Sequence, residues 1–145
     1  MKKILIFLLS LSLLGGCAPA KKIHLSEHVT LSFFYIQSCS QCQAFKSVAI
    51  PLLEDTYQDQ ITILQYDLDE PETEAIYDQI IDSLVDFDEE FYGNGPFIVL
   101  NGYFAFLGYT TGDEEYLVTD IQRAVNHEEL GYELEGLRFT FKENQ

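Results

Sequence analysis

Cationic side chains are scarce: 8 Lys and Arg stand against 24 Asp and Glu in 145 residues, a formal charge of −16. Binding a phosphate backbone takes clusters of such cations, so nucleic acid is excluded as a partner. The acidity instead favours solubility and repulsion from an anionic membrane surface. Internal repeats and low-complexity tracts are absent. The N-terminal apolar run, residues 4–14, is interrupted by Ser10 and Ser12 and rises only about 16 Å as a helix, roughly half of a hydrocarbon core, which makes it too short for a comfortable membrane span. Methionine is confined to Met1 and histidine to His24, His28 and His127, so a metal site has few ligands to draw on. Cysteine is limited to Cys17, Cys39 and Cys42, too few for a disulfide framework.

What the N-terminus does have is a processing pattern: Met1-Lys2-Lys3, the short apolar run, then Gly15-Gly16-Cys17 as a small-residue cleavage site. Leu14-Gly15-Gly16-Cys17 resembles the lipobox of bacterial lipoproteins, which implies diacylglycerol on the Cys17 sulfur and removal of residues 1–16 as a signal peptide. Two or more acyl chains suffice for stable anchoring. Residues 17–26 then form anchor and linker, and residues 18–25 reach at most about 28 Å. The expected location is the cell envelope, outside the cytoplasm and close to the membrane, where disulfides persist. With Cys17 consumed by lipid, Cys39-Ser40-Gln41-Cys42 is the one remaining pair.

The hydrophobic pattern places that pair. Residues 29–36 (VTLSFFYI) alternate and then turn wholly apolar, as a strand entering a buried sheet does. A helix is predicted over residues 39–57, with Cys42, Phe45, Ala49 and Leu52 at helical spacing and Pro51 kinking or breaking it. Residues 60–68 (QITILQYDL) read as a second strand. Pro71 opens a further helix with a stripe of Ile76, Ile80, Leu84, Phe87 and Phe91, while Asp78, Asp82 and Glu89 form its solvated face. Residues 97–100 and 103–107 flank Asn101-Gly102 as a hairpin. Thr111-Gly112-Asp113-Glu114 has capping-box spacing and leads into a helix through Leu117, Ile121, Ala124 and Val125. The order is β-α-β-α-β-β-α in one α/β domain over residues 27–127. Residues 128–145 are a C-terminal extension of open role, in which residues 137–141 alternate like a strand without an evident partner.

A Cys-x-x-Cys pair can be a redox couple, half of a zinc site or a coincidence. Zinc needs two further ligands, which the three histidines are poorly placed to give, and no metal site is expected. At the junction of a buried strand and a helix, the first thiol meets unpaired backbone N–H groups and the positive end of the helix dipole, which lowers its pKa. Ser38 and Gln41 have capping-box spacing, so Ser38 is expected to cap the helix with Cys39 in its first turn. Cys39 then reads as the nucleophile and Cys42, one turn on, as the resolving thiol.

Strand, Cys39-Ser40-Gln41-Cys42, helix, and later Gly95-Pro96 entering a hairpin resemble the thioredoxin superfamily over residues 29–126. The resemblance implies a central mixed sheet of about four strands flanked by helices. It also implies a cis Pro96 facing the cysteine pair, and a Gly95 backbone that hydrogen-bonds an extended substrate peptide. The implied activity is that of a protein disulfide oxidoreductase, without a cofactor, acting on thiols or disulfides of exported proteins and recycled by an unidentified redox partner. The chain departs from thioredoxin in several places: Ser38 precedes the first cysteine, Ser40-Gln41 separates the two, Phe33 stands where a buried carboxylate is usual, and Gln65 replaces its companion lysine. About twelve residues are added between Asp69 and Pro96. The direction of exchange stays open. Two rival readings are a copper chaperone holding Cu(I) between the thiolates, which lacks an obvious third ligand, and a redox-inert partner-binding module, disfavoured by the two cysteines at the helix start.

Overall fold

The computed structural model describes residues 22–134 and 137–143. The expected signal peptide, residues 1–16, and Cys17, the expected lipidation site, lie outside these residues.

Four chain segments form all but one edge strand of a five-stranded mixed sheet with strand order β2-β1-β3-β4-β5. β1 (Val29–Tyr35) pairs parallel to β2 (Ile61–Asp67) and antiparallel to β3 (Phe97–Leu100), which pairs antiparallel to β4 (Phe104–Leu107). β1, β3 and β4 are apolar on both faces because both faces are covered. Leu31, Phe33, Ile98, Leu100, Phe104 and Phe106 point to one core; Phe34, Phe97, Val99 and Ala105 point to the other. β2 lies at an edge, and its exposed Thr62, Leu64 and Gln65 show it.

The first core is closed by α1 (Ser40–Ala44), α2 (Ile50–Tyr57) and α4 (Asp113–Val125). Between α1 and α2, residues Phe45–Ala49 form a π-helical turn in which Ile50 N–H donates to Phe45 C=O. Pro51 has no N–H to donate and its ring clashes with the carbonyl four residues back, so the helix widens there by one residue rather than stopping. The second core is covered by α3 (Pro71–Asp82), on which Tyr77 is buried edge-on against Phe34 and Phe97. Of the expected stripe, Ile80, Leu84 and Phe87 pack on this core, but Ile76 is 38% exposed and its neighbour Tyr77, 1% exposed, takes the inward position. α3 also ends at Asp82, so Phe87 and Phe91 belong to the following loop, where both pack against Phe139. An aromatic ring with a hydrogen-bonded hydroxyl won the inward position over a smaller aliphatic neighbour.

The sheet has five strands, not about four. β5 (Arg138–Thr140) pairs antiparallel with β4, setting Phe104 opposite Thr140 and Phe106 opposite Arg138. At the other end of the chain, Gln60 accepts from Leu25 N–H at 2.7 Å and donates to Ile23 C=O at 3.1 Å, so the chain is docked from Ile23 onward. This α/β architecture is consistent with a thioredoxin-like fold. Among the described residues, no helix is long and apolar enough to cross a membrane.

Candidate redox site

β1 delivers the chain from the core to the site. After Tyr35 the backbone bends, and Gln37 fixes the bend by donating to Asp67 Oδ2 at 2.8 Å while its carbonyl accepts from Gln43 Nε2 at 3.1 Å. The Gln37–Asp67 bond, like the bonds from the Gln60 side chain to Leu25 and Ile23, is a long-range contact of a polar residue that no spacing in the sequence marks. The Asp67 carboxyl is held below the usual carboxylate range, first by the Gln37 bond and then by the Asp69 N–H.

Helix α1 starts one residue later than the capping-box spacing indicates. Ser38 is exposed, and Cys39 itself is the N-cap, with φ −80° and ψ 116°. Its Sγ accepts from Cys42 N–H at 3.1 Å, its N–H donates to Ile36 C=O at 3.1 Å, and its C=O accepts from Gln43 N–H at 3.1 Å. Sulfur thereby does the work that a serine hydroxyl was expected to do. Despite the acidity of the chain, the first turn of α1 carries no acidic side chain.

Cys39 and Cys42 form a disulfide, with Cα atoms 5.2 Å apart. Cys42 is fully buried in the same apolar cluster as Phe33 and Phe45, whose rings lie 4.7 Å apart. Cys39 is half-buried. Phe33 thus fills with an aromatic ring the space where the resemblance would put a carboxylate, and Gln65, its partner across the β1–β2 pair, faces solvent. Lys46 Nζ sits 3.3 Å from the centre of the Tyr35 ring.

The second wall is the approach to β3. The Gly95–Pro96 bond is cis, and Pro96 is buried. Gly95 C=O lies 3.5 Å from Cys39 Sγ. A Cβ on residue 95 would stand 3.3 Å from Cys42 Sγ and 3.6 Å from both Ile36 N and Phe34 O, so glycine lets the backbone come this close. Cys39, Cys42 and Gly95 are therefore brought together, with Pro96 next in the chain, whereas Cys17 lies outside the described residues. Among the described residues, no group of three or more His, Cys, Asp or Glu side chains is placed to hold a metal ion. Both ring nitrogens of His28 are engaged, with Asp59 C=O at 2.9 Å and Thr62 Oγ1 at 2.8 Å.

A pair so placed can open and close a disulfide with one sulfur accessible and the other shielded. Compared with known proteins, the chain matches no protein-family model and no curated protein.

Proposed function

We propose that this chain is a thiol-disulfide oxidoreductase of thioredoxin type, held at the outer face of a bacterial membrane by lipid on Cys17 and acting on exported proteins. One observation carries the reading: a Cys39–Cys42 disulfide at a helix start, with Cys39 half-buried beneath the Gly95 carbonyl and Cys42 sealed in the core. A client thiolate attacks Cys39 Sγ; the Cys39–Cys42 bond breaks, its electron pair goes to Cys42, and a client–Cys39 mixed disulfide forms. A second client thiolate then attacks the client sulfur and expels Cys39 as thiolate. Two electrons and two protons have passed from client to pair, and the same steps run backward reduce a client. The Cys42 N–H aimed at Cys39 Sγ and the helix dipole behind it stabilise the thiolate that leaves or attacks. An extended client segment pairs with the Gly95 backbone, which needs no side chain for this.

The test separates the two thiols. Cys42→Ser is expected to accumulate mixed disulfides with clients through Cys39, and Cys39→Ser to abolish both exchange and trapping. Non-reducing electrophoresis with mass spectrometry of the linked peptides reads the result, and exchange with a model disulfide of known potential gives the direction. Equal trapping through Cys42 in the Cys39→Ser variant would overturn the division of roles; no exchange with any model thiol or disulfide would overturn the activity.

A further inference from the structure

A groove of about 340 Å³ opens on the α3 side of the sheet, next to the redox pair. Its link to the pair is Ile36, which lines the groove and whose carbonyl accepts the Cys39 N–H at 3.1 Å. The floor is aromatic. Tyr77, 1% exposed, accepts from Gly93 N–H at 3.1 Å, and among the described residues no acceptor is found for its own hydroxyl proton. Tyr92 stands edge-on to it at 5.3 Å, is 49% exposed, and has its hydroxyl fixed on Asp78 at 2.6 Å. Three exposed carboxylates, Asp69, Glu70 and Glu74, complete the lining. None of the three is in an ion pair among the described residues, where both ion pairs use Asp120.

We propose that this groove receives a lysine or arginine side chain of an extended client polypeptide close to the client cysteine, so that preferred clients carry a cation beside the reacting sulfur. This deepens the exchange reading above and rests on it for the identity of the client. The chemistry selects the occupant. The methylene stem of a long cation lies along Ile36 and the tyrosine faces while its head reaches the carboxylates. Tyr92 offers a partly exposed ring to that cation. The unused Tyr77 hydroxyl proton suits a main-chain carbonyl of the client, because it is a buried donor in need of an acceptor. An acidic client side chain would meet three like charges, and an apolar one would cover carboxylates without pairing them.

The test uses the oxidised full chain and synthetic extended peptides with serine in place of the client cysteine, flanked on both sides either by lysine or by glutamate. Binding is followed by the amide shift of Gly93, which does not depend on redox chemistry. The lysine peptide is expected to bind at least ~10-fold more tightly at low salt, a difference of about 1.4 kcal/mol, and the preference should fall to about 3-fold or less, near 0.6 kcal/mol, in Glu70→Gln/Glu74→Gln. Glu54→Gln/Asp55→Asn removes the same charge from α2, which covers the opposite face of the sheet, and should keep the preference. Equal binding of the two peptides, or a preference lost equally in both double variants, would show bulk attraction and overturn the proposal. Exchange with a small uncharged disulfide, run in parallel, reports on the activity by itself, so failure of the groove and failure of the redox reading are told apart.

Discussion

Glu114 is a carboxylate taken out of water and kept charged. Burial works to raise its pKa, but the Tyr109 hydroxyl at 2.6 Å and the backbone N–H groups of Glu114 and Gly112 outweigh it, and the net shift is downward from 4.5. Burial first, and the bond to Glu114 second, push the Tyr109 hydroxyl up, so it remains a donor throughout the physiological range. A carboxyl whose folded pKa is depressed adds stability that is present above its unfolded pKa and is lost as pH falls through the folded value. Tyr109→Phe keeps the edge-on packing against Phe45 at 5.2 Å but removes the donor. The variant should lose about 1–3 kcal/mol near neutral pH, and this deficit should narrow as Glu114 protonates in acid. Urea denaturation at about pH 7 and about pH 3.5 checks it; a deficit that holds constant or widens toward acid would contradict the assignment. The sequence pattern came close at this position. Capping-box spacing at Thr111 and Glu114 marks where a helix begins, yet the carboxylate bonds one residue later, to Gly112, which is the N-cap and has a φ of +111°.

At the scale of elements, what was legible is what repeats locally, and what was not depends on distant partners. Period-two and period-3.6 patterns mark β1, β2, the β3–β4 hairpin and α4 within a residue or two, and the same patterns bring Cys39 and Cys42 to a strand–helix junction. At α3 the stripe was legible at Ile80 and Leu84 but not at its first position, because Ile76 and Tyr77 are adjacent and only the pocket formed by Phe34 and Phe97 decides between them. β5 was legible as an alternation but not as a sheet member. Its partner edge is set by Asp120, 18 residues away, which accepts from both Arg138 Nη2 and Gly131 N–H while Arg138 Nη1 donates to Gly131 C=O. Both charged side chains are buried, at 2% and 8% exposure. Removing one partner of such a pair leaves the other charge uncompensated, so Asp120→Ala should cost about 3–5 kcal/mol. Asp120→Ala/Arg138→Met, with no charge left buried, should recover much of that loss. Chemical denaturation of the two variants side by side decides: a loss below about 1 kcal/mol for Asp120→Ala, the range of an exposed ion pair, would mean that the pair does not hold the tail.

At the scale of the whole molecule, the sheet divides the labour. One face, under α1, α2 and α4, buries Cys42 and gives the disulfide a dry backing; the other, under α3 and the tail, carries the acidic groove, and Ile36 joins the two at the end of β1. The proposed anchor at Cys17 would constrain where this assembly works. Ile23 N–H donates to Thr56 C=O at 3.1 Å and Leu25 is buried, so only residues 18–22 separate Cys17 from the first docked residue, a length of at most roughly 18 Å. On the proposed lipid anchor, so short a stretch would limit the domain to clients whose cysteines lie near the membrane surface, and its acidity would oppose lying flat on anionic headgroups. Cys17→Ser should therefore move the protein from the membrane fraction to the soluble fraction while leaving its exchange rate with a small disulfide unchanged, since Cys17 has no part in the Cys39–Cys42 couple. Fractionation, exchange kinetics and intact mass of the native protein are the measurements. An unmodified Cys17 in the mass spectrum, or a serine variant that stays with the membrane, would remove the anchor and with it the argument for membrane-proximal clients.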